Sequence, residues 1–227
     1  MKPILAPLFA AALCIAADSP AGDGRLIFKD DFSRTELGSE WRAVVPTFTV
    51  ADGVMRGSQT RDDHGAVGSV KAAFKDGAIE FKFRLEGATS INAVCDDKAF
   101  KGSHAGHICR VAITPKQIRL GDDKEGVMRN DIFEMRKDPA RKAEADKLIA
   151  GRGAAVPASL EPHRWYTMRI EIAGDEIRAA LDGKVIGQLK SPGIAHPTKS
   201  DFHFTVSGKD ALFDDVTIRS LDKDGAR

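Results

Sequence analysis

Tyrosine and tryptophan are nearly missing from this chain, which has one of the first and two of the second against twelve phenylalanines. An excess of either charge is missing too: 34 Lys and Arg meet 33 Asp and Glu, for a formal net charge of +1. No basic run interleaved with aromatics occurs, so nothing points to a nucleic-acid partner. Long hydrophobic runs are absent beyond the N-terminus, and so are internal repeats and low-complexity linkers. The one apolar run, Ile4 to Ala17, is shorter than the ~20 residues a membrane-spanning helix needs.

Lys2 precedes that run, and Ala16, Ala17 and then the polar Asp18, Ser19 and Pro20 follow it. These are the parts of a secretory signal peptide. We read residues 1–17 as the signal and 18–227 as one exported domain, periplasmic or extracellular, with no membrane span after cleavage.

Cysteine is scarce as well. Of three, Cys14 leaves with the signal, and Cys95 and Cys109 remain in "AVCDDKAFKGSHAGHICRVAI", residues 93–113. An even count in an oxidising compartment favours a Cys95–Cys109 disulfide. Closing such a loop stabilises a fold by roughly 3 kcal/mol in the chain-entropy model. Two buried thiols acting as small hydrophobes fit the same pattern, and strand register decides between them.

Glycine is plentiful and scattered, as a chain of many turns requires. In "GAIEFKFRLEG", Ile79, Phe81, Phe83 and Leu85 alternate with Glu80, Lys82 and Arg84, the period of a strand with one buried face. "TFTVADGVMRGS" turns at Asp52-Gly53, a strong hairpin signal. "WYTMRIEIAGDEIRAALDGKVIGQL" reads as three strands turning at Gly174-Asp175 and Asp182-Gly183. "DFHFTVSGKDALFDDVTIRSL" reads as a last pair around Gly208-Lys209. Short strands and frequent turns predict an all-β, two-sheet antiparallel sandwich. One insertion, about residues 122–155, is densely charged, with helix formers from Pro139 to Ala150. It is either a solvated surface helix or a lid with Met128, Ile132, Phe133 and Met135 packed beneath.

The pieces "FTVADGVMRG", "FKDGAIEFKFRLEGATSINAV", "RWYTMRIEIAGDEIRAALDGKVIG" and "FDDVTIRSL" carry a resemblance over nearly the whole mature chain. The chain resembles the concanavalin A-like sandwich superfamily and, within it, the 3-keto-disaccharide hydrolase family of secreted bacterial proteins. That resemblance implies a curved jelly roll whose concave sheet holds a sugar, and cleavage of glycosides already oxidised at C3. A C3 ketone acidifies the C2 proton, so a base removes it and the C1 substituent leaves by β-elimination. Such an enzyme needs a base of near-neutral pKa, a group to hold the enolate oxygen, and donors for the hydroxyls. The other reading is a non-catalytic, lectin-like carbohydrate-binding module.

Alternation sorts the candidates by face. With Ile91, Ala93 and Cys95 inward, Asn92 and Asp96 turn to the concave side; with Cys109 and Val111 inward, Arg110 joins them. Asn92 and Arg110 suit sugar hydroxyls or, equally, a cross-strand pair. Asp96, Asp97, His104 and His107 can ligate a divalent cation, calcium or a similar hard ion if the aspartates dominate, although the spacing falls short of a zinc signature. His64 is the candidate base, with Asp63 as its carboxylate neighbour; a loop of solvated charges fits "TRDDHG" as well. Phe202 and Phe204 point inward, which turns His203 and Thr205 to the polar face, with Lys199 nearby. Trp41 can stack on a sugar ring. A first test concerns export: the intact mass of secreted protein should place the mature N-terminus at Ala17 or Asp18. A retained Met1 would contradict the signal peptide.

Overall fold

The computed structural model describes residues 24–45 and 47–222; the expected signal peptide lies outside them. Period-two alternation becomes thirteen strands, here β1 (Arg25–Asp30), β2 (Arg42–Val45), β3 (Phe48–Ala51), β4 (Val54–Ser58) and β5 (Ala66–Phe74). Next come β6 (Gly77–Asp96), β7 (His107–Thr114), β8 (Gln117–Asp122) and β9 (Gly153–Pro157). The last are β10 (Trp165–Ala173), β11 (Glu176–Leu181), β12 (Lys184–Lys190) and β13 (Lys199–Ser220). Two short helices, α1 (Asn130–Met135) and α2 (Lys142–Leu148), lie between β8 and β9.

Two of these strands are far longer than the usual five or six residues, and they build both layers. The first half of β6 pairs β10 on one side and the second half of β13 on the other. With β11, β12, β1, β4 and β3 alongside, this makes one layer. The second half of β6 pairs β7 and the first half of β13, and the other layer runs β9-β8-β7-β6-β13-β5-β2. Pairing is antiparallel throughout, as expected.

Here the structure corrects one sequence reading. Gly208-Lys209 is not a hairpin turn but a bend inside β13, next to the matching bend at Gly87 of β6. Both glycines take positive φ, 84° and 94°. A local glycine signal does not separate a chain that reverses from one that folds over into a second layer. By contrast, Asp52-Gly53 (φ 55° and 73°) and Asp182-Gly183 (φ 49° and 78°) make the expected tight turns, with φ positive at both central residues.

Folding each long strand onto itself brings its phenylalanines face to face. Phe204 and Phe213, both from β13, stack at 4.2 Å, and Phe81 of β6 meets Phe204 edge-on at 4.9 Å. Each fully buried ring contributes about 1.5–3 kcal/mol over exposure. Trp41, expected at a sugar, is instead 4% exposed. Its ring stacks on Phe204 and its indole Nε1 donates to Asp30 Oδ2 at 2.7 Å.

Lys199 is corrected too. It has no exposed surface, and its ammonium donates to the carbonyls of Lys75, Ile194 and His196 at 2.7, 2.8 and 3.0 Å. Three backbone acceptors saturate it, so it ties loop ends together rather than meeting a ligand. Cys95 and Cys109 are direct cross-strand partners and both inward, as alternation required, yet they stand as free thiols rather than a disulfide. The hydrogen bond with Cys109, with burial behind it, pushes the Cys95 thiol well up.

The insertion also differs from expectation. Its second helix begins at Lys142, because residues 138–141 form a turn in which Arg141 N donates to Asp138 O at 3.0 Å. Ile132 of α1 and Ala145 of α2 are fully buried, while much of α2 faces solvent. Gly208 gives the test of the bend. A Cβ there would sit 2.7 Å from Thr89 N, whereas one at Gly174, also at positive φ, meets nothing within 4 Å. Gly208→Ala should therefore cost more than the roughly 1–3 kcal/mol of local backbone strain, and Gly174→Ala no more than that, in urea unfolding. Equal losses would contradict a close-packed bend.

Candidate functional site

The outward faces of β6, β7, β8 and β13 in the second layer form one continuous surface. Register places Thr205 beside Asn92 and Ala112, His203 beside Val94 and Arg110, and Asp201 beside Asp96 and His107. Asn92, Arg110, Thr205 and His203 thus share the face that alternation assigned them. Loop residues 122–129 and the two helices rise over its β8 side and enclose a cleft of about 760 Å³. Its floor includes Asn92, Arg110 and Gly121, and its walls Met128, Phe133 and Arg152. Met128 and Phe133, two of the four residues the lid reading placed beneath the insertion, line this cleft.

Next to the cleft stands a group the sequence assembled only in part. Asp96 is fully buried and accepts from His107 Nδ1 at 2.5 Å, His203 Nδ1 at 2.9 Å and Lys98 Nζ. Simple alternation from Cys109 would turn His107 inward. A bulge prevents it: Cys95 pairs Cys109 but Asp96 pairs His107, so Ile108 is the extra residue, and His107 re-aims at the carboxylate. Burial pushes His203 below its ordinary value despite the pull of Asp96. Asp96 goes the other way. Burial alone would raise it, but the hydrogen bonds from His107 and His203 outweigh that and hold it far below the carboxylate range. The His203 pair is therefore a carboxylate accepting from a neutral imidazole, with Nδ1 as the donor and Nε2 left with its lone pair.

A second pair lies in the cleft floor. Arg110 Nε donates to Asp123 Oδ2 at 2.5 Å, and Asp123 is fully buried. Arg110 Nη2 and Asp123 Oδ1 are both buried without a partner. A buried unmet donor or acceptor costs about 1–3 kcal/mol, so this pair leaves hydrogen-bonding capacity unsatisfied beneath the cleft floor. Asp123 was missed from sequence, although its signal was present: with Ile118 and Leu120 inward, alternation turns Arg119, Gly121 and Asp123 outward together.

Several expected roles do not hold. Asp63 gives its carboxylate to Arg61, at 2.9 and 2.6 Å, not to His64. His64 is exposed on the loop before β5, with Nδ1 2.7 Å from Gly65 O, so no carboxylate–imidazole dyad forms there. Asp96 is too enclosed to meet a sugar itself. Asp97 turns away from the group and binds His196 Nε2 at 2.9 Å. His104 stacks on Phe133 at 4.0 Å, anchoring the lid, and burial lowers its pKa.

Of the expected set Asp96, Asp97, His104 and His107, only Asp96 and His107 come together, and with His203 they bring one nitrogen or oxygen each within 4.8 Å of one another. Two imidazole nitrogens and one carboxylate fit a zinc-, iron- or manganese-like ion. Calcium, which takes six to eight oxygens, does not fit.

The group also sets a pH dependence. Because the folded His203 pKa lies below the ~6.5 of a free imidazole, the unfolded chain binds the proton first. Stability is then full above about pH 6.5 and declines below it. The lowered Asp96 contributes stability present above ~3.9 and lost on further acidification. Thermal unfolding should show a first decline below about pH 6.5 that His203→Asn flattens; an unchanged profile in that variant would contradict it.

Comparison with known proteins agrees with this architecture. The profile of the 3-keto-alpha-glucoside-1,2-lyase-like domain matches residues 15–219. No curated protein sequence matches the chain. Among solved structures, the transglycosylase Crh5 without ligand is similar at TM-score 0.60 and 12% identity, over 88% of each chain. A laminarinase from Flavobacterium sp. UMI-01 is similar at 0.58 and 10%, over 86% of this chain and 100% of its own. The carbohydrate-binding module CBM66 from Bacillus subtilis is similar at 0.53 and 14%, over 82% and 98%. At such identities the likeness concerns the concanavalin A-like sandwich fold alone.

Proposed function

The chain belongs to the 3-keto-alpha-glucoside-1,2-lyase-like family, and from that premise we propose that it cleaves 3-keto-glycosides by elimination, outside the cytoplasm, on the face that holds Asp96, His107 and Arg110. One observation carries this reading: a buried carboxylate fixes two imidazoles by their Nδ1 atoms, beside a cleft whose floor holds an unpartnered guanidinium nitrogen.

The geometry supports the following roles. Asp96 accepts the Nδ1 proton of His107, leaving the Nε2 lone pair to act as the base. His107 is the more exposed of the two imidazoles, with side-chain exposure of 14% against 7% for His203. It takes the C2 proton, and the C–H electron pair moves into the C2–C3 enolate. The partly exposed guanidinium of Arg110 faces the C3 oxygen, where negative charge develops. The enolate then re-forms the ketone and makes C1=C2 as the C1–O bond breaks. The departing oxygen takes the proton back from His107. Asn92 orients the hydroxyls. Addition of water across C1=C2 would complete a hydrolysis.

A second reading rests on the three donors within 4.8 Å. In it, Asp96, His107 and His203 hold a divalent cation. When bound, such an ion supplies Lewis-acid polarisation of the ketone, and the base is then another group on the same face.

Proton NMR in deuterium oxide separates these readings. With a 3-keto-glycoside the wild type should exchange the C2 proton and release the aglycone, and His107→Gln should slow exchange by about 10²–10⁴. His64→Ala should leave it unchanged. Loss of exchange on chelation, restored by manganese or zinc, favours the metal reading. Binding without exchange under any condition would make the chain a carbohydrate-binding module and end the catalytic proposal.

A further inference from the structure

The cleft is charged, although the chain is not. Its lining includes Arg110, Arg119, Arg136, Lys137, Lys142 and Arg152 against three aspartates, while the whole chain carries a net +1. One of the three, Asp122, is already used: it accepts from Ser191 Oγ and Gly193 N, behind the floor. The other two are matched, Asp123 by Arg110 and Asp146 by Arg136, and Lys137 meets Glu134.

Three cations are left over. Among the described residues, Arg119, Lys142 and Arg152 have no carboxylate within 4.0 Å. Arg119 stands on the outward row of β8 beside Ala112, which neighbours Asn92. Arg152 lies where the insertion returns to the sheet; its backbone carbonyl accepts from Asp122 N and its Nη1 donates to Ser191 Oγ at 3.2 Å. That hydroxyl in turn donates to Asp122 Oδ2, so Arg152 reaches a carboxylate only through one bridging serine, and Arg119 and Lys142 reach none among the described residues. Guanidinium groups present paired donors that match carboxylate, sulfate and phosphate oxygens.

A neutral glycoside has no use for these charges. Asn92 and Arg110 in the floor already bring polar groups to its hydroxyls, and a cleft of 760 Å³ is ample for a ligand of disaccharide size. We propose that the glycoside taken by this cleft is anionic: a sugar ring meets Arg110 and Asn92, and a carboxylate, sulfate or phosphate on it meets Arg119 and Arg152. The proposal rests on the sugar-site reading above and adds the substrate class.

Calorimetric titration at low and high salt tests it, with a neutral glucoside, the matching glucuronoside and the matching 6-sulfated and 6-phosphorylated glucosides as ligands. At least one acidic ligand should bind about tenfold or more tighter than the neutral one at low salt, and the advantage should shrink as salt screens it. Which acidic ligand leads identifies the anionic group. The Arg119→Gln/Arg152→Gln double variant, with an unchanged melting temperature, should lose the preference and keep its affinity for the neutral glucoside. Equal affinities in the wild type, or a preference that survives the double variant, would overturn the proposal. The readout is binding, so failure of the elimination chemistry leaves this result standing. Normal turnover of neutral 3-keto-glycosides with no acidic preference would sink this inference alone.

Discussion

The structure depends on the side-by-side run of β6 and β13, each bent once and each belonging to both layers. The bends at Gly87 and Gly208 sit next to each other, so the two strands fold over as a pair without losing their shared ladder. Inward, the fold-over stacks Phe204 on Phe213 and Phe81 on Phe204. Outward, the same two strands deliver Asp96 and His203 to one spot 2.9 Å apart. Core and site are opposite faces of the same pair of strands, and neither can shift by one residue without exchanging its side chains with the other.

That coupling explains how a charged group survives in a buried place. Asp96 has no exposed surface, and an isolated buried carboxylate would be costly. Two imidazole donors and an ammonium surround it instead. The cost of enclosing the charge is offset by fixed hydrogen bonds, and what results is a pair of imidazoles held in one tautomer and one orientation. The Arg110–Asp123 pair repeats the design with a difference: one nitrogen and one oxygen remain unmet. The first group is complete, whereas the second leaves two polar atoms unmet beneath the cleft floor. In the function proposed above, the first holds the base and the second contributes Arg110 to the substrate.

Much of this was legible in the sequence, for a physical reason. A side-chain period of two is local, so the inward Phe202 and Phe204, the outward His203, Asn92 and Arg110, and the facing cysteines could be assigned from spacing alone. What depended on distant partners was not legible. Gly208 looked like a turn because a bend and a reversal both call for positive φ. His107 needed a bulge, which breaks the very periodicity used to place it. Lys199 suggested a ligand by its ammonium and Trp41 by its stacking ring, yet the ammonium is held by backbone carbonyls and the ring packs on Phe204 with its indole on Asp30. His64 and Asp63 are neighbours in sequence only, since Arg61 captures the carboxylate first. The thiols of Cys95 and Cys109 face each other as register required, but position does not decide oxidation.

A crystal structure with a non-eliminating 3-keto-glycoside analogue bound tests the central claim most directly. The account predicts the sugar on the outward face of β6, β7 and β13 beneath Phe133, with C2 toward His107 and a hydroxyl or ketone oxygen within hydrogen-bond distance of Arg110. A sugar bound on the opposite layer, or in the cleft with C2 turned away from both imidazoles, would contradict it.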